Sequence, residues 1–150
     1  PIEVLGVGHS CLENGNPKLE MFATANAYRQ MKELTGLTGA DMDLFLTNDF
    51  YNQSELLAAE ICEYLPAGEG WKYVRDGRIA FDGDRPANSN GGRCHYGHAA
   101  GASGLHDLYE AVRQMRGTAG ATQVKHEVKH AMLRGFGGAQ NLLNIMLEKK

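Results

Sequence analysis

The feature that most constrains the fold is the alternation of short apolar runs with stretches of helical periodicity. Residues 2–7 are rich in β-branched side chains and predict a strand, and residues 19–34 repeat apolar side chains at helical spacing. Residues 44–46 predict a second strand covered on both faces, and a helix capped by Ser54 follows and stops at Pro66. Because strands alternate with helices, we expect a layered α/β domain with a mostly parallel sheet.

The second half of the chain is expected to add one helix and two late strands. Residues 105–115 repeat apolar side chains at helical spacing, and Gly117 follows as the stop. The late strands are predicted near 123–134 and 140–147. Between the two halves, residues 71–74 are interpreted as a short hairpin arm that lies between turn dipeptides.

Composition narrows the class of protein further. The 150 residues are 43% hydrophobic and carry 15 basic and 18 acidic side chains, which suits a single domain, 1–150, with its own core. No apolar run has the length that crosses a bilayer, so we expect no membrane span. The second half is net positive but has no basic run interleaved with aromatic residues, so no nucleic acid partner is expected.

The three cysteines, Cys11, Cys62 and Cys94, are an odd number for a disulfide framework in a chain of this size. That usage favours a reducing, cytoplasmic location. Neither Cys11 nor Cys62 has a neighbouring base in the sequence, so both are interpreted as packing positions rather than nucleophiles.

The densest group of chemically capable side chains lies in the glycine-rich segment 88–104, at the start of a predicted helix. The segment contains two imidazoles, a thiol and a phenol, and the start of a helix favours developing negative charge. A histidine held there is a candidate general base or a hydrogen-bond donor to an oxyanion. A glycine-rich turn with solvent-exposed histidines accounts for the same residues equally well.

Two further patterns raise the question of a metal. Cys94, His95 and His98 lie close together, but no matching Cys or His pair supplies the remaining zinc ligands. Residues 126–130 read H-E-V-K-H, a motif that binds zinc only on a helix, and this segment fits a helix or a strand equally. We therefore expect no metal site.

Several motifs, taken in order, resemble those of the thiolases. Residues 88–92 (N-S-N-G-G) and 97–104 (G-H-A-A-G-A-S-G) resemble the N-x-x-G-G and G-H-P-x-G-A-T-G signatures, and residues 110–117 resemble the E-x-x-x-Q-L-R-G stretch that follows. Residues 48–52 (N-D-F-Y-N) stand where thiolases have N-E-A-F-A and sterol-carrier-type thiolases have H-D-C-F-S. Residues 135–139 (G-F-G-G-A) are similar to the G-L-G-G-A loop of the sterol-carrier type. The resemblance covers essentially the whole chain and corresponds to the C-terminal half of a thiolase.

That resemblance implies a fold and an activity. The expected fold is a thiolase-like half-domain, a three-layer αβα arrangement on a mixed five-stranded sheet that ends in an antiparallel hairpin. The implied activity is acyl transfer on acyl-CoA thioesters with formation or cleavage of a carbon–carbon bond. Coenzyme A thioester is then a substrate, and no permanently bound cofactor is expected.

The resemblance also implies site residues. The family's histidine beside the acylated cysteine corresponds to His98, and the asparagine that holds a water in the same oxyanion hole corresponds to Asn48. Backbone N–H groups near the acyl carbonyl are expected from Gly137 and Gly138. Tyr51, in the same motif as Asn48, is expected to contact the substrate.

Some positions depart from the family. The second catalytic cysteine of many thiolases is replaced by Leu133, and the cysteine of the sterol-carrier motif is replaced by Phe50. These changes keep two alternatives open: a catalytically inactive protein that binds lipid or acyl-CoA or acts as a scaffold, and an acyl-CoA retro-aldolase. Related retro-aldolases replace both the asparagine and the histidine with tyrosines, so Asn48 and His98 favour the acyltransferase.

The half of the family that carries the nucleophilic cysteine has no counterpart in these residues. We therefore expect the isolated chain to be inactive, and the full-length protein to combine it with the missing N-terminal half and to form a homodimer. A small zinc-ribbon/OB-fold partner protein, used by some thiolase-like relatives, is a further possibility.

Overall fold

The structure is a computed structural model that describes residues 1–11, 20–137 and 141–150. The described chain contains four strands and five α-helices, with short 3₁₀ turns between them. In order they are β1 (Ile2–Cys11), α1 (Glu20–Thr35), β2 (Leu44–Thr47), α2 (Asn52–Ile61), α3 (Gly70–Arg75), α4 (Gly92–Tyr96), α5 (Ser103–Arg116), β3 (His130–Gly137) and β4 (Asn141–Lys149).

The strands form one mixed sheet in the order β1-β4-β3-β2. β2 and β3 are parallel, whereas β4 is antiparallel to both of its neighbours, β1 and β3. Strands β1, β2 and β3 therefore run in one direction, and β4 runs against them. The mixed sheet and the late antiparallel hairpin are confirmed. The expectation of a mostly parallel sheet is wrong. Two of the three strand pairs are antiparallel, because β4 lies between β1 and β3.

The prediction of five strands is wrong, since the sheet in the described residues has four. The place beside β2 that a fifth strand would take holds a single parallel bridge between Phe45 and Ala87. There the N–H of Phe45 donates to Pro86 O at 3.2 Å and the N–H of Asn88 donates to Phe45 O at 2.9 Å. Pro86 has no N–H to extend the ladder, and Asn88 has a φ of +42°, which turns the chain out of the extended conformation.

Helices cover both faces of the sheet, which confirms the three layers. Side chains alternate between the two faces along each strand, so each strand contributes to two separate cores. The core under α1 and α2, which we call the apolar face, contains Tyr28, Met31, Phe45, Ala58, Cys62, Met132 and Met146. The core under α5 contains Leu44, Leu46, Ala111, Met115, Ala131, Leu133 and Leu147.

The segment 71–74, predicted as a hairpin arm, is helical in α3. The carboxylate of Glu60, at the end of α2, accepts hydrogen bonds from the N–H groups of Gly68 at 2.9 Å and Gly70 at 2.8 Å. These groups lie at the N-terminus of α3, where backbone donors have no partner within the helix. The side chain that starts α3 therefore comes from a different helix, and local sequence patterns do not reveal it.

The late strand also begins later than predicted, at His130 instead of near residue 123. The carboxylate of Asp43, just before β2, accepts the N–H groups of Lys129 at 2.9 Å and His130 at 2.8 Å. This contact fixes where the chain enters the sheet. The carbonyl of Lys129 already accepts the N–H of Lys149 at 2.9 Å, and the chain before Lys129 passes outside the ladder.

The predicted ends of α2 are wrong, because the helix begins at Asn52, so that Ser54 lies inside it, and ends at Ile61 before Pro66. The C-terminal ends of α1 and α5 follow the sequence more closely. α1 ends at Thr35, and Gly36 (φ +71°) donates its N–H to Lys32 O, while α5 ends at Arg116 before Gly117 (φ +71°). Both glycines adopt the left-handed conformation that closes a helix, as predicted. None of the helices in the described ranges is long and apolar enough to cross a membrane.

Candidate functional site

The candidate site lies at the edge of the sheet where the parallel strands β2 and β3 end. Asn48 directly follows β2 and is buried. Its Oδ1 accepts the N–H of Phe50 at 3.0 Å, a local turn of the kind that asparagine side chains stabilise. The turn leads the chain into α2, whose N-cap residue is Tyr51.

His98 lies in the loop between α4 and α5, and its ring is held from one side. Nδ1 of His98 is 2.8 Å from Oγ of Ser103, the first residue of α5, which is buried. The same Oγ accepts the N–H of Ala99 at 3.0 Å. Among the described residues, Nδ1 of His98 is the one acceptor within reach of the Ser103 proton, because the other partner of Oγ is a donor. This favours donation from Oγ to Nδ1 and hence the tautomer with the His98 proton on Nε2.

Phe50 connects these two residues. Its N–H is bonded to Asn48, and its ring meets the His98 ring edge to face at 4.4 Å between centroids. A pocket of about 390 Å³ beside His98 is also lined by Tyr96, Ser103 and His106. Asn48 is not among the described residues that line it, so the two predicted residues share an edge but not this pocket.

Three other residues were predicted for the site: Gly137, Gly138 and Tyr51. Gly137 ends β3 and pairs with Asn141, three residues beyond Arg134, the residue that pairs with Thr47. Three residues of strand correspond to about 10 Å. Gly138 lies outside the described residues. Tyr51 is 66% exposed.

An apolar crevice lies between the first turns of α5 and the sheet. It has a volume of about 240 Å³, and its walls include Gly101, Gly104, Gly135, Leu133 and Leu143. Glycines on both walls leave the space open, because a side chain at these positions would enter it. Gly101, Gly104 and Gly135 line this crevice but were not predicted as site residues, although the motifs 97–104 and 135–139 contain them.

A buried ion pair between Arg93 and Asp107 joins the elements that form this edge. Nη2 of Arg93 in α4 donates to Oδ2 of Asp107 in α5 at 2.7 Å, and both side chains are only 4% exposed. Nη1 of Arg93 donates to the carbonyl of Thr47 at the end of β2, at 2.9 Å. The hydroxyl of Tyr96 donates to the other oxygen of Asp107 at 2.9 Å, and burial together with that carboxylate raises the pKa of Tyr96. α4, α5 and β2 are thereby joined.

The Gly91-Gly92 pair has a steric role in the same region. The carboxylate of Asp49 accepts the N–H of Arg93 at 2.9 Å, at the start of α4. A Cβ atom on Gly92 would lie 2.1 Å from Oδ2 of Asp49, and Gly92 has a φ of +62°. Only glycine allows this approach, which ties the turn after β2 to α4.

The carboxyl of Glu55 in α2 is largely buried and lies near Asp49, and both conditions disfavour its charged form. Burial, and next the charge of Asp49, raise the pKa of Glu55 to about 7. Nδ2 of Asn88 donates to Oε1 of Glu55 at 2.9 Å, while Oδ1 of Asn88 accepts the N–H of Thr47 at 2.9 Å. Asn88 therefore continues the ladder of β2 with its side chain. We call residues 47–51, Glu55, 88–98 and 103–107 the polar edge.

Cys94 is poorly suited to be a nucleophile. Its Sγ donates to the carbonyl of Asp49 at 3.6 Å, and the carboxylate of Asp49 is the largest cause that raises the pKa of the thiol. Cys62 is fully buried on the apolar face, and burial raises its pKa to about 12. The packing role predicted for Cys62 is confirmed. Cys11, in contrast, is exposed, so its predicted packing role is wrong.

The H-E-V-K-H segment does not form a zinc-binding helix. Nε2 of His126 lies 3.1 Å from the carbonyl of Asp43, in a segment without helical structure. His130 begins β3, and its Nε2 lies 3.4 Å from Glu148. The two imidazoles have different partners, and the described residues contain no cluster of three or more metal-ligating side chains.

These observations define a class of protein: a three-layer α/β half-domain whose mixed sheet carries an asparagine turn and a hydroxyl-held histidine at one edge. Residues 1–147 match the family described as "Thiolase C-terminal domain-like". The chain belongs to that family, which confirms the resemblance found in the sequence.

Relatives agree with this assignment. The chain is 39% identical over 116 residues to an acetyl-CoA acetyltransferase of Methanothermobacter thermautotrophicus, covering 77% of this chain and 30% of that protein. It is 33% identical over 115 residues to the benzoylsuccinyl-CoA thiolase subunit BbsB of Thauera aromatica, again covering 77% and 30%. Human sterol carrier protein 2 is 36% identical over 116 residues, covering 75% and 21%. The chain thus spans less than a third of the length of these relatives.

The fold has close counterparts among solved structures. A structure of an Ltp2–ChsH2(DUF35) aldolase superposes with a TM-score of 0.83 and covers 99% of this chain and 39% of that chain. At 18% sequence identity, this likeness shows a shared fold.

Proposed function

We propose that this chain supplies the oxyanion-stabilising half of the active site of a thiolase-like acyltransferase that forms or cleaves a carbon–carbon bond in acyl-CoA thioesters. One observation carries the proposal. Ser103 holds Nδ1 of His98, so the opposite nitrogen, Nε2, is the one that is left to donate at an exposed edge.

The chemistry needs such donors. In acyl transfer and in Claisen-type steps, the thioester oxygen becomes negative as the transition state forms, and fixed hydrogen-bond donors stabilise it. We infer that Nε2–H of His98 is one donor. Oδ1 of Asn48 accepts the N–H of Phe50, so the amide N–H groups of Asn48 are the ones proposed to donate to a water or to the thioester oxygen.

Three further residues are proposed to contact the substrate. Gly137 and Gly138 are proposed to offer backbone N–H groups to the acyl part of the substrate, and Tyr51 is proposed to contact the coenzyme A part. The exposure of Tyr51 leaves its ring accessible to a ligand. The unfilled crevice beside Gly135 offers room for a short apolar group at the same end of the sheet.

The remaining parts of the machinery are proposed from the relatives. The nucleophilic cysteine belongs to the N-terminal half of the full-length protein, which we expect to be a homodimer without a permanently bound cofactor. The solved aldolase that shares the fold is named with a DUF35 component, and a small zinc-ribbon/OB-fold partner is proposed here in the same way. Three unpaired cysteines support a cytoplasmic location.

A second function is favoured by two specific side chains. Leu133 is buried at the position of the family's second cysteine, and the ring of Phe50 lies against His98 at the position of the sterol-carrier cysteine. Neither side chain transfers a proton. A catalytically inactive protein that binds acyl-CoA or lipid is therefore the second candidate, and an acyl-CoA retro-aldolase is the third.

Trapping of a covalent acyl-enzyme distinguishes these functions. The full-length protein is incubated with acetyl-CoA, quenched with acid and mapped by peptide mass spectrometry. The proposal predicts one acylated cysteine outside residues 1–150 and release of free coenzyme A. Binding of the CoA ester without an adduct supports the inactive binder, and release of a carbonyl product from a hydroxyacyl-CoA without an adduct supports the aldolase.

A further inference from the structure

A second group of reactive side chains lies away from the polar edge, where β1 ends and β4 begins. Sγ of Cys11 lies 3.8 Å from Nε2 of His9 and donates to Oδ1 of Asn141 at 3.3 Å. Nε2 of His9 is itself 3.4 Å from the same amide oxygen. A thiol, an imidazole and an amide thus meet at one point, and no residue of this cluster takes part in the site described above.

The strand geometry explains why they meet. His9 and Cys11 are two residues apart on β1, so their side chains leave the strand on the same face. Asn141 is the residue of β4 that pairs with Cys11. Residues directly opposite each other in an antiparallel pair have neighbouring side chains.

The cluster lies on the α5 side of the sheet. A Cβ atom on Gly8 would lie 1.7 Å from the carbonyl oxygen of Ala27 in α1, so Gly8 faces α1. His9 and Cys11 therefore face the other way. His9 pairs with Leu143, which is a wall of the apolar crevice under α5. The thiol cluster therefore lies on the same face of the sheet as the crevice, one strand away from its Leu143 wall.

The chain provides its own comparison, because its three cysteines have three different surroundings. Cys62 is fully buried. Cys94 is exposed, but it lies on Asp49, whose carboxylate opposes a thiolate. Cys11 is exposed and has an imidazole within contact distance. The thiolate is the nucleophilic form of cysteine, so a base positioned to take the thiol proton during the attack assists the reaction.

We propose that Cys11, with His9 as its proton acceptor, is a reactive thiol site that exchanges with small-molecule disulfides. In the tautomer with its ring proton on Nδ1, His9 presents the Nε2 lone pair to Sγ. The thiol proton, which lies toward Oδ1 of Asn141, moves to Nε2, and the Cys11 sulfur attacks one sulfur of the disulfide R–S–S–R. The S–S bond breaks, a Cys11–S–S–R bond forms, and the leaving R–S⁻ takes the proton back from His9. Cys11 is oxidised, and one half of the disulfide leaves reduced, as R–SH.

Such an adduct has a defined consequence. The added group projects from the α5 face beside Asn141, two residues along β4 from Leu143, which lines the crevice. Modification of Cys11 therefore adds bulk next to this wall of the crevice, whatever acyl chemistry the polar edge performs.

The test measures the rate of modification at each cysteine separately. The full-length protein is treated with oxidised glutathione, quenched at intervals and mapped by peptide mass spectrometry. We expect Cys11 to be modified at least about tenfold faster than Cys94, and His9→Gln to slow Cys11 by a similar factor, since a positioned base typically contributes about 100-fold or more. Cys62 is the folding control, because it stays unmodified as long as the variant is folded.

Two results would overturn the proposal. One is equal rates at Cys11 and Cys94, which would mean that exposure alone decides reactivity. The other is an unchanged rate at Cys11 in a folded His9→Gln variant, which would remove His9 from the step. Replacement of Cys94 by Ser is the matched control, and it should leave the Cys11 rate as it is in the unaltered protein.

Discussion

The apolar face and the polar edge belong to one sheet but are held together by different forces. Under α1 and α2, side chains such as Met31, Phe45 and Met146 are fully buried, and burial of apolar surface is the main force that stabilises them. The buried guanidinium of Arg134, which donates to Thr24 in α1, is a polar exception on this face. At the polar edge, the buried groups are a guanidinium, carboxylates and amides, each held by specific partners. The first arrangement tolerates changes of similar volume. The second depends on each partner being present, and it fixes the positions of Asn48 and His98.

The strongest way to break this comparison is to remove one partner of the buried ion pair. Asp107→Ala leaves the Arg93 charge buried without a carboxylate, and it should lower the free energy of unfolding by about 3–5 kcal/mol. Denaturant unfolding of the full-length protein measures this change. The control is Asp76→Ala, which breaks the exposed pair with Arg75 and should change the free energy of unfolding much less, because solvent screens an exposed ion pair. Equal effects of the two substitutions would mean that the polar edge is not held by its buried charges.

The Glu55 carboxyl predicts a dependence of stability on pH. Its pKa is raised from 4.5 to about 7 in the folded protein, so the folded state binds a proton that the unfolded state has lost between these values. Stability should therefore fall as pH rises through this window, by up to about 3 kcal/mol. Unfolding curves at several pH values should show this slope in the unaltered protein. Glu55→Gln, which cannot ionise, should lose that part of the slope, and an identical slope in both proteins would contradict the assignment.

A smaller effect is expected when the partner of His98 is removed. Ser103→Ala frees Nδ1 and relaxes the preference for a proton on Nε2, and it should lower kcat about tenfold while KM changes little, because a transition-state donor is weakened. Steady-state kinetics of the full-length protein measure both constants. Ser103→Thr keeps the hydroxyl and should restore most of the activity. A Ser103→Ala variant with full kcat would show that this hydroxyl does not orient the ring.

The smallest effect is expected outside both regions. Lys32 in α1 and Glu63, which follows α2, form an ion pair at 2.8 Å on the protein surface. Their side chains are 40% and 47% exposed. Lys32→Met should change the free energy of unfolding by less than about 1 kcal/mol, and added salt should reduce the difference further. A loss as large as that of Asp107→Ala would place the decisive electrostatics outside the polar edge.

The same contrast explains what the sequence predicted. Local periodicity set α1 to within one residue at each end. The motifs imply one pocket for Asn48 and His98; Phe50 contacts both residues, but Asn48 does not line the pocket beside His98. The start of α3 and the reduction of the fifth strand to a bridge depend on Glu60, Pro86 and Asn88 acting across the fold, and local patterns contain no such information.

The buried pair of Arg93 and Asp107 was missed for a related reason. The two residues are 14 positions apart on different helices, and a charge in a helical pattern ordinarily indicates a solvated face. The meeting of His9 with Cys11 was accessible in principle, because alternation along a strand places residues two apart on one face.

The most direct test of the central claim is the turnover of the full-length protein with His98→Ala. Loss of an oxyanion donor typically lowers kcat by about 100-fold or more, and the account predicts a loss of that size with CoA-ester binding retained. His95→Ala is the matched control, since His95 is an exposed imidazole three residues away, and it should keep near-normal turnover. Near-normal turnover of His98→Ala would contradict the account, because His98 would then take no part in stabilising the transition state.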